Sequence, residues 1–120
     1  MRTQFIGLTL LFLLAPAGCA TFPPPTDSLA ASMASVQTAE RLGAEQVPQA
    51  ALSLRLAQDE VERTRALMAD EKNRRAHLMA LRAASDAELA IALVREHHAQ
   101  MEAQRAEASA AAADAARTNP

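Results

Sequence analysis

His97 and Met101 stand four residues apart, with Glu96 and His98 beside them. On a helix that spacing puts both side chains on one face, and imidazole with thioether suits a soft metal such as copper. One helix offers too few ligands to close such a site, and His77, the remaining histidine, is 20 residues away. The expectation is that His97 and Met101 continue a packing stripe, Met acting as a flexible filler, and that no metal or cofactor binds. Ser, His and Asp all occur, but a catalytic triad needs fixed mutual geometry and a pocket. From Pro23 onward the chain has no aromatic side chain, and aromatics dominate pocket and core energetics. No catalytic residue, enzymatic activity or small-molecule substrate is therefore expected. Glu60, Glu62, Asp86, Glu88 and Glu96 read as solvated faces with Arg neighbours.

The single thiol, Cys19, rules out an internal disulfide and a multi-cysteine metal site. Its position gives it a role. Arg2 is followed by the apolar run Phe5-Ile6-Gly7-Leu8-Thr9-Leu10-Leu11-Phe12-Leu13-Leu14. A helix of that length covers only ~15 Å, about half of a hydrocarbon core of ~30 Å. It reads as the apolar region of a signal peptide rather than a stable membrane span. Ala15-Pro16-Ala17-Gly18-Cys19 then resembles the lipobox of bacterial lipoproteins, with Pro16 standing where Leu is usual. The resemblance implies cleavage between Gly18 and Cys19 and acylation of Cys19, a membrane anchor. The alternative is an ordinary secretory peptide with Cys19 incidental. Ala20, rather than Asp, follows the cysteine, which by analogy with enterobacterial sorting implies an outer-membrane, periplasm-facing location.

The anchor would carry a body that composition makes helical. About a quarter of the chain is Ala, the strongest helix former. The full chain has a net charge of −2, and loss of Arg2 with the leader leaves 11 basic and 14 acidic side chains, close to −3. Nucleic acid is excluded as a partner, because it demands a basic face. Length allows one small domain. Residues 19–26, with Pro23-Pro24-Pro25, form a semi-rigid tether. Thr26, Asp27 and Ser28 are N-cap types, Leu29, Met33 and Val36 recur at helical spacing, and Gly43 is a stop. A first helix is thus predicted over Asp27–Leu42. Pro48 opens a second at the position where proline fits, and its stripe runs Leu54, Ala57, Val61, Thr64, Met68. Asp59–Arg63 and Glu62–Arg65 are spaced to pair on its wet face.

Extended in phase, that stripe meets Glu71, Arg75, Leu78 and Arg82, whereas Ala83, Ala87, Ala90, Val94, His97 and Met101 form a better stripe in another phase. The phase change beside Asp70-Glu71-Lys72-Asn73 predicts a turn and an antiparallel third helix. No Gly or Pro marks the break, so one continuous helix is the alternative. After Met101 no apolar residue exceeds Ala, and residues 106–120 read as a helical tail with little to bury. The fold class is all-α: an Ala-rich antiparallel hairpin with a third, N-terminal helix and a poorly packed helical tail.

Gly43-Ala44 with Pro48 beyond, Leu54-Arg55-Leu56-Ala57, and the string from Ala76 to Ala90 complete a pattern of lipobox, Pro-rich tether and Ala-rich helices. The body, residues 27–105, resembles lipoproteins carrying the domain of unknown function DUF4398. The resemblance implies a helical hairpin with a third helix in the cell envelope, and no catalytic residues. Some relatives are joined to an OmpA-like peptidoglycan-binding domain, which is not expected here. Covalent wall attachment of the murein-lipoprotein kind uses a C-terminal Lys, and this sequence closes on Arg117-Thr118-Asn119-Pro120. Leu89-Ala90-Ile91-Ala92-Leu93-Val94 is apolar nearly all round. A two-helix hairpin cannot cover it, so the first helix, a second copy or a partner must. Ile91 and Leu93, off the packing stripe, are the candidate interaction surface, for an envelope protein or a homo-oligomer. The expected role is a structural or adaptor lipoprotein working through helix–helix contacts. The alternative is an envelope-stress or wall-associated lipoprotein that binds peptidoglycan directly.

Overall fold

Three prolines hold the chain out of helix until Thr26, and from there it is helical nearly throughout. The computed structural model describes residues 21–118. Helix α1 spans Thr26–Arg41, a single 3-10 turn covers Ala44–Gln46, α2 spans Pro48–Ala69 and α3 spans Asn73–Thr118. The helix α1 starts without a side-chain cap, a correction to the capping role expected of Thr26, Asp27 and Ser28. Pro25 precedes it, and its carbonyl accepts the Leu29 N–H at 3.0 Å. The Ser28 hydroxyl is engaged instead by His77 of α3, 2.9 Å away.

Gly43 ends α1 as predicted, in the left-handed region at φ 83°, where a Cβ is costly. Val47 is extended (φ −103°, ψ 109°), as the residue before a proline must be, and Pro48 opens α2. The α2–α3 turn falls at Asp70–Lys72. The Lys72 N–H bonds the Leu67 carbonyl at 2.8 Å and the Glu71 N–H bonds Met68 at 3.0 Å. This is a Schellman closure, with Glu71 rather than glycine at φ 58°. The hairpin is thus made, and a continuous helix through residues 70–73 is excluded.

Helix α2 packs against the first half of α3, and α1 contacts both. The core is Val36 and Ala39 from α1, Ala44 and Val47 from the connection, Ala50, Leu54, Ala57 and Val61 from α2, and Ala83, Ala87, Ala90 and Val94 from α3. The two predicted stripes are therefore the ones that meet. Most of these side chains are methyl groups, and the largest fully buried ones are Val94, Thr64 and Ser32. The two fully buried hydroxyls are satisfied locally, Ser32 by the Leu29 carbonyl and Thr64 by that of Glu60, both at 2.8 Å. Cohesion comes from close backbone approach and many weak dispersion contacts, not from a few large side chains.

Packing ends before α3 does. Val94 is buried, but His97 is exposed and Met101 only half-buried, which corrects the expectation that the stripe continues through both. The reason is that α2 begins at Pro48, so its antiparallel partner runs out there. Val47, Pro48 and Gln49 lie against Leu93, Glu96 and His97. Beyond Val94, α3 continues through residues 105–106 without a break to Thr118. Beyond Arg105, the last α3 residue facing the α1–α2 connection, every described residue is exposed, over about 20 Å at ~1.5 Å per residue. Among the described residues no helix is long and apolar enough to cross a membrane.

Candidate functional site

The stretch that resembles a lipobox, with Gly18 and Cys19, lies outside the described residues. The tether that follows does not hang loose. Asn73 Nδ2 donates to the Phe22 carbonyl at 3.0 Å. The Phe22 ring packs on His77, centroids 5.6 Å apart, and His77 Nδ1 meets Ser28 Oγ. Four side chains from the tether, α1 and the first turns of α3 thus form one clamp beside the α2–α3 turn. The Ser28–His77 pair brings a hydroxyl to an imidazole, the first two members of a nucleophilic triad. Among the described residues no carboxylate forms an ion pair with His77, and an aromatic ring covers it. The pair has what a clamp requires and lacks the orienting third group of a triad.

Ile91 and Leu93 are both half-buried and packed against the core. Ile91 faces Ala34, Ser35 and Thr38 of α1, and Leu93 faces the start of α2. Helix α1 therefore supplies part of the cover that the apolar stretch of α3 requires. The more exposed leucines are Leu52, Leu56, Leu78, Leu81 and Leu89, with Leu78 59% and Leu89 50% exposed. Of these, Leu52, Leu56 and Leu81 lie off both sequence stripes, and their being left over was the available signal.

Glu60 was expected on a solvated face and is only 5% exposed. It stands three residues after Ala57 and four before Thr64, on the seam itself, and that spacing was the available signal. Its Oε1 accepts from Arg82 Nε at 2.6 Å, while Oε2 is buried without a partner. Burial and the neighbouring Asp86 carboxyl push the Glu60 carboxyl above the usual range, against the pull of Arg82 and Arg63. Of the two pairs expected on the face of α2, Glu62–Arg65 forms. Asp59–Arg63 does not form an ion pair among the described residues, and the charge of Arg63 acts on Glu60 instead.

Beside the Glu60–Arg82 pair, α2 and α3 leave an open recess. Leu67, Arg75, Leu78, Met79 and Arg82 line it. Leu56 is one turn before Glu60 and Leu89 one turn beyond Asp86, so both border the same seam. The recess has no α1 residue in its walls, whereas α1 helps to line grooves on the other sides of α2 and α3. At the far end, His97, His98, Met101, Glu102 and Arg105 surround an open depression with Gly43, Gln46 and Val47. No group of three or more His, Cys, Asp or Glu among the described residues is placed to hold a metal ion.

No family model matches the chain, no curated protein is similar to it and no solved structure matches it. The likeness to DUF4398 lipoproteins rests on the motif residues alone.

Proposed function

We propose that this chain is a lipid-anchored cell-envelope lipoprotein of the DUF4398 type that works as an adaptor, engaging a helix of an envelope partner rather than a substrate. The observation that carries this reading is the α2–α3 groove left open by α1. Its recess is lined by Leu67, Leu78, Met79 and Arg82, the exposed Leu56 and Leu89 lie further along the same two helices, and Arg82 pairs with the buried Glu60 beside Asp86. An amphipathic helix laid in such a groove would bury those leucines, and these charged groups would favour one register over others. Ile91 and Leu93 are already half-covered, by α1 and by the start of α2 respectively.

The test is site-specific photo-crosslinking in cells, with the full lipidated chain and the crosslinker at Leu56 or Leu89. A discrete adduct from both positions is expected, lost on adding Leu81→Glu on neighbouring α3 or Leu67→Glu in the groove. Adducts from Ala108 but not from Leu56 or Leu89 would refute the groove as the working surface. Retention on purified sacculi without any protein adduct would replace it by direct wall binding.

A further inference from the structure

The clamp fixes which end of the molecule meets the lipid. We propose that the α2–α3 turn is a second membrane contact, in which Lys72, Arg74 and Arg75 meet anionic phospholipid headgroups, so that α3 points away from the bilayer. The inference rests on the proposed acylation of Cys19, and its test separates the two.

Three Cα–Cα steps separate Cys19 from Phe22, so at ~3.8 Å per step the two lie no more than about 11 Å apart. Phe22 in turn is bonded through its carbonyl to Asn73 at 3.0 Å, and its ring packs at a tilt on His77. The exposed side chains Lys72, Arg74 and Arg75 adjoin Asn73 in the chain. Attraction to an anionic surface decays over a Debye length of about 8 Å at physiological salt, and an anchor at Cys19 is short enough to let these cations reach that range. Asp70 neutralises part of Lys72 at 2.8 Å and Glu71 is acidic, yet residues 70–75 carry one net positive charge in a chain whose total is −2.

The placement of the arginines also needs a reason other than folding. Residues Asn73, Arg74 and Arg75 make the first turn of α3, which contains no acidic residue. The positive end of a helix dipole disfavours cations there, and neither arginine is in an ion pair among the described residues. The same end exposes Phe22 by 40%, an apolar group that suits the headgroup boundary. With this end down, the far tip of α3 at Thr118 stands up to about 68 Å from the turn, at ~1.5 Å per residue. The free helix beyond Arg105 is then presented to whatever lies above the membrane.

The experiment uses the mature lipidated protein in vesicles of two parts phosphatidylcholine to one part phosphatidylglycerol, with a paramagnetic ion chelated at the headgroups. Nitroxide labels are placed through Ala69→Cys, at the turn, and Ala110→Cys, on the free helix. Several-fold stronger relaxation is expected at Ala69 than at Ala110. That enhancement should fall at least twofold with Arg74→Gln and Arg75→Gln together, and on pure phosphatidylcholine. Equal relaxation at the two labels overturns the orientation. Enhancement at Ala69 that ignores both the double substitution and the lipid charge overturns the headgroup contact. Failure of the wild type to incorporate labelled palmitate in cells refutes the anchor, and this inference with it.

Discussion

Ala87→Leu tests whether the fold depends on backbone proximity at the α2–α3 seam. Ala87 is fully buried, one residue from Asp86, which abuts Glu60 of α2. Its neighbours along α3, Ala83 and Ala90, are equally inaccessible, so a leucine side chain at Ala87 finds no free volume. If the seam could accommodate it, the added carbons would gain ~0.8 kcal/mol each from burial. Accommodation, however, requires the helices to part, which loosens the contacts of Ala57, Ala83 and Ala90 together. Overpacking of this kind typically costs about 1–3 kcal/mol. For a packed region of this size each kcal/mol lowers the melting temperature by about 4–8 °C, so a fall of roughly 4–24 °C is expected. The control is Ala108→Leu, on the exposed free helix, where Ala and Leu differ little in helix propensity. With no Trp or Tyr in the chain, helical circular dichroism is the assay. The bundle melts cooperatively, while the unpacked end of α3 contributes a broad slope. A monomeric Ala87→Leu variant that melts with wild type, or no lower than Ala108→Leu, would refute the close-packed seam.

Glu71→Gly should stabilise the hairpin by about 0.5–1 kcal/mol. It relieves a left-handed residue (φ 58°) whose cost is ~1–2 kcal/mol, less the entropy that glycine adds to the unfolded chain; an unshifted urea midpoint would count against a strained turn. Glu60→Met should stabilise by about 1 kcal/mol at pH 7, because an apolar side chain of similar volume replaces a buried charge whose partner Arg82 is itself largely exposed. The folded-state pKa of Glu60 lies above its usual 4.5. Its contribution is therefore most favourable below that pH and is lost as pH rises through the folded value, so the advantage of Glu60→Met should shrink on acidification from pH 7 to 4.5. An advantage independent of pH would contradict this. Cys19→Ser should abolish palmitate labelling and release the chain from the membrane fraction or leave the leader uncleaved; unchanged fractionation would remove the anchor from the mechanism.

Much of the architecture could be read from single-helix properties. Leu54, Ala57, Val61 and Thr64 share one helical face, Ala83, Ala87, Ala90 and Val94 another, and all eight are buried. The phase mismatch between these faces located the turn, because two stripes out of register cannot face one partner on a straight helix. Gly43 and Pro48 marked the first connection through backbone restrictions that any context imposes. Glu71 gave no such mark. A residue can be held in the left-handed region at ~1–2 kcal/mol when the bonds from Glu71 to Met68 and from Lys72 to Leu67, with the packing on either side, determine the turn.

Only the tertiary structure decided which neighbour each face receives. Periodicity placed Ile91 and Leu93 off the seam, but it was the position of α1 that half-covered Ile91. The stripe through His97 and Met101 was sound as helix geometry and lost its partner because α2 starts at Pro48. Glu60 looked solvated until α3 closed over it with Arg82 and Asp86. The clamp of Phe22, Ser28, Asn73 and His77 joins residues up to 55 positions apart in the chain, so no local pattern contains it. A helix's own sequence fixes the direction in which each side chain points; what it meets there depends on chain segments that arrive from far away in sequence.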